Sequence, residues 1–184
     1  MGSGSQALVF LISVIFDLYI WAIFLRIILQ LMRADYYNPL SQIVIKLTDP
    51  PLAIFHKILP TRRGIDIAAI IFVFLVVLLK AFLLLLVLGI PPQPIGVLLI
   101  AAADIVKQLL SLYFYILFIV IISSWFANRA INPTLSLLVK ITEPLLLPLR
   151  KVMPPIAGMD FSPLVIILII KVLEIFLYSF TLGF

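Results

Sequence analysis

Two stretches, NPLSQIVIKLTDPPLAIFHKILPTRRGID (Asn38–Asp66) and NPTLSLLVKITEPLLLPLRKVMPPIAGMD (Asn132–Asp160), align without a gap at a shift of 94 residues. Asn38-Pro39 falls on Asn132-Pro133, Lys46 on Lys140, and Thr48-Asp49-Pro50 on Thr142-Glu143-Pro144. Lys57 then falls on Lys151, Pro60 on Pro154, and Gly64 and Asp66 on Gly158 and Asp160. One register kept across so many Pro, Gly, Lys and acidic positions marks an internal duplication.

Outward from each stretch the sequence turns apolar. Four runs, roughly Ala7–Met32, Ile67–Leu88, Val97–Phe126 and Phe161–Phe180, are each long enough to cross a ~30 Å hydrocarbon core, which takes ~20 helical residues. Runs of this length read as helices, because backbone groups in lipid must be satisfied within the segment. The ~10-residue alternation of a membrane barrel is absent. The first run lacks a basic leader and a small-residue cleavage site, so it reads as a span and not a secretion signal. Composition agrees: 65% of residues are hydrophobic and 11% charged, with a mean hydropathy of +1.32. Soluble domains carry about 25% charged residues. The fold expected is an all-α membrane protein of two tandem repeats, 1–90 and 91–184, each with two spans.

A unit with two spans returns to the side it started from. The repeats are therefore parallel, and an approximate two-fold axis along the membrane normal is expected between them. Nine of the thirteen Lys and Arg lie in the two connectors, whereas the central linker Gly89–Gly96 carries no charged side chain. By the positive-inside rule both connectors face the cytoplasm, and the linker and both termini lie outside. Within each connector, apolar residues such as Leu40, Ile43, Val44 and Leu47 recur at helical spacing. Asp49-Pro50 and Glu143-Pro144 then read as an N-cap with proline in the first turn. A pair of short amphipathic helices is expected in each unit, over 39–59 and 133–153, lying at the headgroup level. Their basic face, Lys46, His56, Lys57, Arg62 and Arg63 with Lys140, Arg150 and Lys151, is the candidate surface for anionic lipid or a membrane-protein partner. The basic excess thus describes one membrane face, and nucleic acid is not the expected partner. Gly64-x-Asp66 and Gly158-x-Asp160 read as glycine turns followed by an aspartate cap for the next span.

Charges also lie inside the spans, at Asp17, Arg26, Lys80, Asp104, Lys107, Lys171 and Glu174. Each needs a partner, a water path or a nearby interface. Arg26 is near enough to the cytoplasmic end to snorkel. Asp104 with Lys107, and Lys171 with Glu174, are three apart and can pair along one helix. Lys80 and Glu174 are repeat counterparts of opposite charge, so they are expected to bridge the two-fold axis, with Asp17 in the same cluster.

Chemistry-bearing motifs are scarce. Cysteine is absent and His56 is the one histidine, so neither thiolate catalysis nor a multi-histidine metal site can be assembled. No HExxH, GxSxG or phosphate-binding glycine loop occurs. Neither catalytic residues, a metal nor a cofactor is expected.

The repeated pattern resembles the YggT family of bacterial inner-membrane proteins. It consists of Asn-Pro, Lys-x-Thr-Asp/Glu-Pro, a basic pair, Pro, and Gly-x-Asp before a span. The plastid and Gram-positive YlmG relatives carry one such unit and the proteobacterial members two. The residues that carry the resemblance are Asn38, Pro39, Thr48, Asp49, Pro50, Pro60, Gly64 and Asp66, with Asn132, Pro133, Thr142, Glu143, Pro144, Pro154, Gly158 and Asp160. One departure is His56 against Arg150; another is Thr61-Arg62-Arg63 against Pro155-Ile156-Ala157. The resemblance implies an inner-membrane location and links to osmotic and potassium stress, to maturation of membrane proteins, and to division neighbourhoods. Two functions are open: a non-enzymatic membrane scaffold, and a small oligomeric channel or transporter supporting ion balance.

Overall fold

Long apolar runs have one way to satisfy their own backbone in lipid, and this chain takes it. A computed structural model describes residues 3–59, 64–126, 132–153 and 160–181. They form α1 (Ser3–Leu31), α2 (Pro39–His56), α3 (Ile67–Val87), α4 (Pro94–Phe126), α5 (Pro133–Val152) and α6 (Ser162–Thr181). Four of these, α1, α3, α4 and α6, are long and apolar enough to cross a membrane. The first span of each unit has 29 or 33 residues and the second 21 or 20. At 1.5 Å per residue the second spans just match a ~30 Å core, and the first spans overshoot it by roughly 15–20 Å.

The helix ends follow from local chemistry. Both α1 and α3 close in Schellman turns: Ala34 N–H bonds Leu29 O at 2.9 Å, and Ile90 N–H bonds Leu85 O at 3.0 Å. The turn needs a left-handed residue, which is Gly89 (φ 70°) after α3 but Arg33 (φ 49°) after α1. The connector helices start on Asn-Pro. Asn38 Oδ1 accepts from Leu40 N–H at 3.0 Å and Asn132 Oδ1 from Thr134 N–H at 3.0 Å, each followed by proline, which has no N–H to satisfy.

Here the expected helix pair gives way to one helix per connector. α2 runs through Pro50 and Pro51, and α5 through Pro144 and Pro148, so Asp49 and Glu143 cap nothing. The prolines deprive the carbonyls of Lys46, Leu47, Lys140 and Pro144 of their usual donors. All four of those residues are exposed, so water or headgroups can satisfy the carbonyls and the helix need not break. The buried stripe is also rotated: Ser41, Val44, Thr48 and Leu52 face inward, while Ile43, Leu47 and Ile58 are exposed.

α1 packs on α3, and α4 on α6, with α2 and α5 laid across the connector-side ends. Fully buried Ala68, Ala69 and Ala101 permit close approach of neighbouring backbones. The two units meet through α3–α4, α1–α4 and α2–α5, and Asn38 Nδ2 donates to Pro133 O at 2.8 Å across that last contact. A two-fold axis would match α3–α4 with an equal α6–α1 contact. Instead α6 packs on α4 and α5 and reaches other helices at most marginally. The tandem is therefore an open arrangement, with α6 at its edge.

Candidate functional site

Polar side chains gather at two levels, the connector layer and the middle of the spans. In the first connector, Asp66 caps α3 by accepting from Ala69 N–H at 3.0 Å, and Gly64 takes φ 82° in the turn before it. His56, expected on the outer face, points inward instead, with Nε2 at 2.9 and 3.0 Å from the two Asp66 oxygens. A histidine at the end of α2 thus latches the connector to the cap of the next span. Arg26 does not snorkel to open water. Its Nη1 donates to Thr48 Oγ1 at 2.9 Å and to Asp49 Oδ1 at 2.5 Å, and Nε lies 3.8 Å from Asp66. The Thr48 hydroxyl in turn donates to Val44 O at 2.7 Å. Between these groups lies a cavity of about 500 Å³, lined by Arg26, Gln30, Ser41, Asp49, His56 and Asp66 among others.

The second connector keeps the latch and drops the rest. Arg150 occupies the His56 position and holds Asp160 through Nε at 2.8 Å and Nη2 at 2.7 Å. Asp160 in turn accepts from Ser162 N–H at 3.0 Å. Burial pushes the Asp160 carboxyl up, but the hydrogen bonds from Ser162 and Arg150 and the Arg150 charge outweigh it and hold the group below the usual carboxylate range. Thr142 bonds back to Leu138 and Val139 carbonyls like its counterpart. The positions of Arg26 and Ser41, however, are occupied by Val120 and Leu135.

On the outer side of both helices Lys46, Lys57, Lys140 and Lys151 are exposed, as are Arg150 and Glu143. Ile43, Leu47, Ile54, Leu147 and Val152 are exposed among them, so this side mixes basic and apolar groups. Arg62, Arg63 and Gly158 lie outside the described residues.

At mid-span the expected Lys80–Glu174 bridge is replaced by two separate clusters. Lys80, 5% exposed, sits 2.7 Å from Asp17 and 2.6 Å from Asp104, and Gln108 also donates to Asp17. It lies roughly 20 Å along α3 from Ile67, in the half away from the connectors. Lys80 does join the two units, but through Asp104 of α4. It finds two carboxylates there, and Asp104 is thereby taken from its expected partner Lys107. Lys107 is exposed and makes no ion pair among the described residues. Glu174 accepts instead from Ser111 Oγ at 2.7 Å and from Lys171 at 2.8 Å, and Lys171 Nζ lies 3.8 Å over the Phe114 ring. The duplication explains the layout: Asp17 and Ser111 are counterparts, as are Lys80 and Glu174. Each unit thus ties its two spans with one polar link at the same repeat position, an ion pair in the first and a hydroxyl–carboxylate bond in the second.

Arg26, expected to snorkel, and Ser41, given no role by the sequence, both belong to the site of the first connector. The signal was present in the alignment of the repeats, where both positions change from polar to apolar.

The CCB3/YggT family model matches the chain twice, over residues 5–87 and 99–181, which reproduces the 94-residue shift. Among curated relatives, a Haemophilus influenzae protein is 36% identical over 186 residues, covering 97% of this chain and 95% of its own length. A protein encoded in the proC 3' region of Vibrio alginolyticus is 36% identical over 159 residues, with 85% of each chain covered. The Escherichia coli K12 protein YggT is 31% identical over 170 residues, covering 92% of this chain and 88% of that one. No solved structure matches the chain.

Proposed function

The chain belongs to the CCB3/YggT family, and from that premise we propose that it is a non-enzymatic scaffold of the bacterial inner membrane, organising lipids or a membrane partner at the cytoplasmic leaflet. The observation that carries this reading is the contact between α2 and α5. It joins the two connectors into one layer whose outer side alternates lysine with exposed isoleucine, leucine and valine. Apolar groups of that kind suit the acyl boundary, and the lysines suit phosphate just above it. Each basic group near an anionic surface contributes about 1 kcal/mol of attraction. The positive-inside rule puts this layer in the cytoplasm and the Gly89–Gly96 linker outside.

Transport is the weaker reading. The carboxylates that would line an ion path, Asp17 and Asp104, are already neutralised in part by Lys80, an arrangement suited to holding helices together.

Reconstitution into vesicles containing labelled anionic lipid tests the scaffold. Energy transfer from the protein to the label should report enrichment around the wild type. Replacing Lys46, Lys57, Lys140 and Lys151 together with Gln should reduce that enrichment several-fold. Equal transfer from both proteins would sink the lipid-organising role. A potassium efflux from loaded vesicles that Asp17→Asn abolishes would replace it with transport.

A further inference from the structure

The cavity of the first unit has donors with nothing to bind. Ser41 is 3% exposed and its Oγ makes no hydrogen bond, a condition that normally costs ~1–3 kcal/mol in a buried hydroxyl. Arg26 uses Nη1 on Thr48 and Asp49, and its Nη2 makes no hydrogen bond among the described residues. Both residues line the same space of about 500 Å³, within the usual range of ~300–1,000 Å³ for small-molecule sites. A buried hydroxyl left unpaired, beside an accessible guanidinium N–H on the same cavity, points to an occupant.

We propose that this cavity binds the headgroup of a phospholipid bearing both a phosphodiester and a primary ammonium. The phosphate oxygens accept from Arg26 Nη2 and Ser41 Oγ, and the ammonium donates to Asp49.

Charge selects this class. Asp66 is occupied by its cap bond to Ala69 and by His56, so the carboxylate open to a ligand is Asp49, whose side chain is 54% exposed. A simple anion placed on Arg26 would lie close to Asp49, and a simple cation placed on Asp49 would lie close to Arg26, 2.5 Å away. A zwitterion satisfies both. Position agrees as well: the walls are the connector-side end of α1, the inner face of α2 and the cap of α3, where the apolar spans end. The second unit offers no such donors, because Val120 and Leu135 replace Arg26 and Ser41. One occupant per chain is therefore expected.

The test uses the full chain in detergent, with dioctanoyl phosphatidylethanolamine compared against the phosphatidylcholine and phosphatidylglycerol of the same chain length. Phosphatidylcholine has no ammonium N–H, and phosphatidylglycerol has no cation. Native mass spectrometry should show one phosphatidylethanolamine bound at least about tenfold more tightly than either competitor, the scale of one hydrogen bond to a charged group. Ser41→Ala should melt at or above the wild-type temperature without lipid, since it removes an unpaired hydroxyl, yet bind phosphatidylethanolamine about tenfold more weakly. Equal binding of the three lipids, or an unchanged affinity in Ser41→Ala, overturns the proposal. So does glycerophosphoethanolamine or inorganic phosphate binding as tightly as the lipid, which would identify a soluble ligand. The site rests on the scaffold reading only in placing the connectors at headgroup level. Because Ser41 is buried and the four lysines are exposed, the two tests fail independently.

Discussion

The two units of this chain share a frame and differ in how they fill it. Each connector helix begins on Asn-Pro, each carries a buried threonine bonded back into its own helix, and each is latched to the aspartate that precedes the next span. In the first unit a charged arginine enters from α1 and ties the connector, the span and the cap together around a cavity. In the second, valine stands at that position and the latch is a single arginine–aspartate pair. The same split recurs at mid-span, where Lys80 bridges two carboxylates but its counterpart Glu174 leans on a serine of α4 and a lysine of its own helix. Duplication has kept what fixes backbone geometry, and divergence has moved the ionic load into the first unit. Function that depends on charge held away from water should therefore be asymmetric.

The mid-span pairs give that asymmetry its largest expected effect. Lys80→Met leaves Asp17 and Asp104 facing each other without a cation in the bundle, and removing one partner of a buried ionic group costs about 3–5 kcal/mol. Glu174→Gln keeps an acceptor for Ser111 and frees a half-exposed lysine, so the loss should stay below about 1 kcal/mol. Denaturant titration in mixed micelles would measure both. Similar losses at the two positions would mean that the units carry equal loads.

Next in size is Arg26→Val, which converts the first connector to the pattern of the second. Asp49 is exposed enough to recover in water and Asp66 keeps His56, so a loss of about 1–3 kcal/mol is expected. Limited proteolysis of the connector should accelerate in this variant.

A smaller and conditional effect belongs to the second latch. The Asp160 carboxyl is held below its ordinary range, so in the folded protein it binds its proton less readily than in the unfolded chain. Its contribution to stability is therefore present above the unfolded value, ~3.9, and fades as pH falls through the folded value. Stability of the wild type should decline below about pH 4, and Asp160→Asn should flatten that part of the curve. If the substituted protein loses stability as steeply as the wild type, the acid sensitivity belongs to other carboxylates.

The ease with which these features could be read differs for a physical reason. Spans and duplication were legible because hydropathy and Pro–Gly spacing are properties of the chain itself; the four long apolar helices agree with the first and the twofold family match with the second. Proline, by contrast, misled. Asp49-Pro50 has the composition of a helix start, but the real caps are Asn38 and Asn132, eleven residues before Asp49 and Glu143, and nothing local says that the lost carbonyl bonds will face outward. Charge partners misled for a similar reason. Opposite signs at Lys80 and Glu174 suggested a bridge, whereas pairing depends on which helices pack, and α6 stays at the edge. Arg26 was visible as a charge, but only the path of α2 across the end of α1 turns it from a snorkelling residue into the centre of a cluster.

The finest test of the unit comparison lies in the two threonines. Thr48 and Thr142 are both fully buried, and both donate to carbonyls of the preceding turn. Only Thr48 also accepts a bond from a guanidinium, Arg26 Nη1 at 2.9 Å. Valine has nearly the shape of threonine, so replacing either removes a hydroxyl and opens little space. Thr142→Val should be close to neutral, within about 0.5 kcal/mol, because the carbonyls that it released keep their helical partners. Thr48→Val should cost about 1 kcal/mol more, the ordinary worth of one such hydrogen bond. The cost should disappear when Thr48→Val is made in the Arg26→Val background, since the donor is then gone. A Thr48 effect that survives the loss of Arg26 would belong to the threonine's own helix. The first connector would then differ from the second in composition without differing in what holds it.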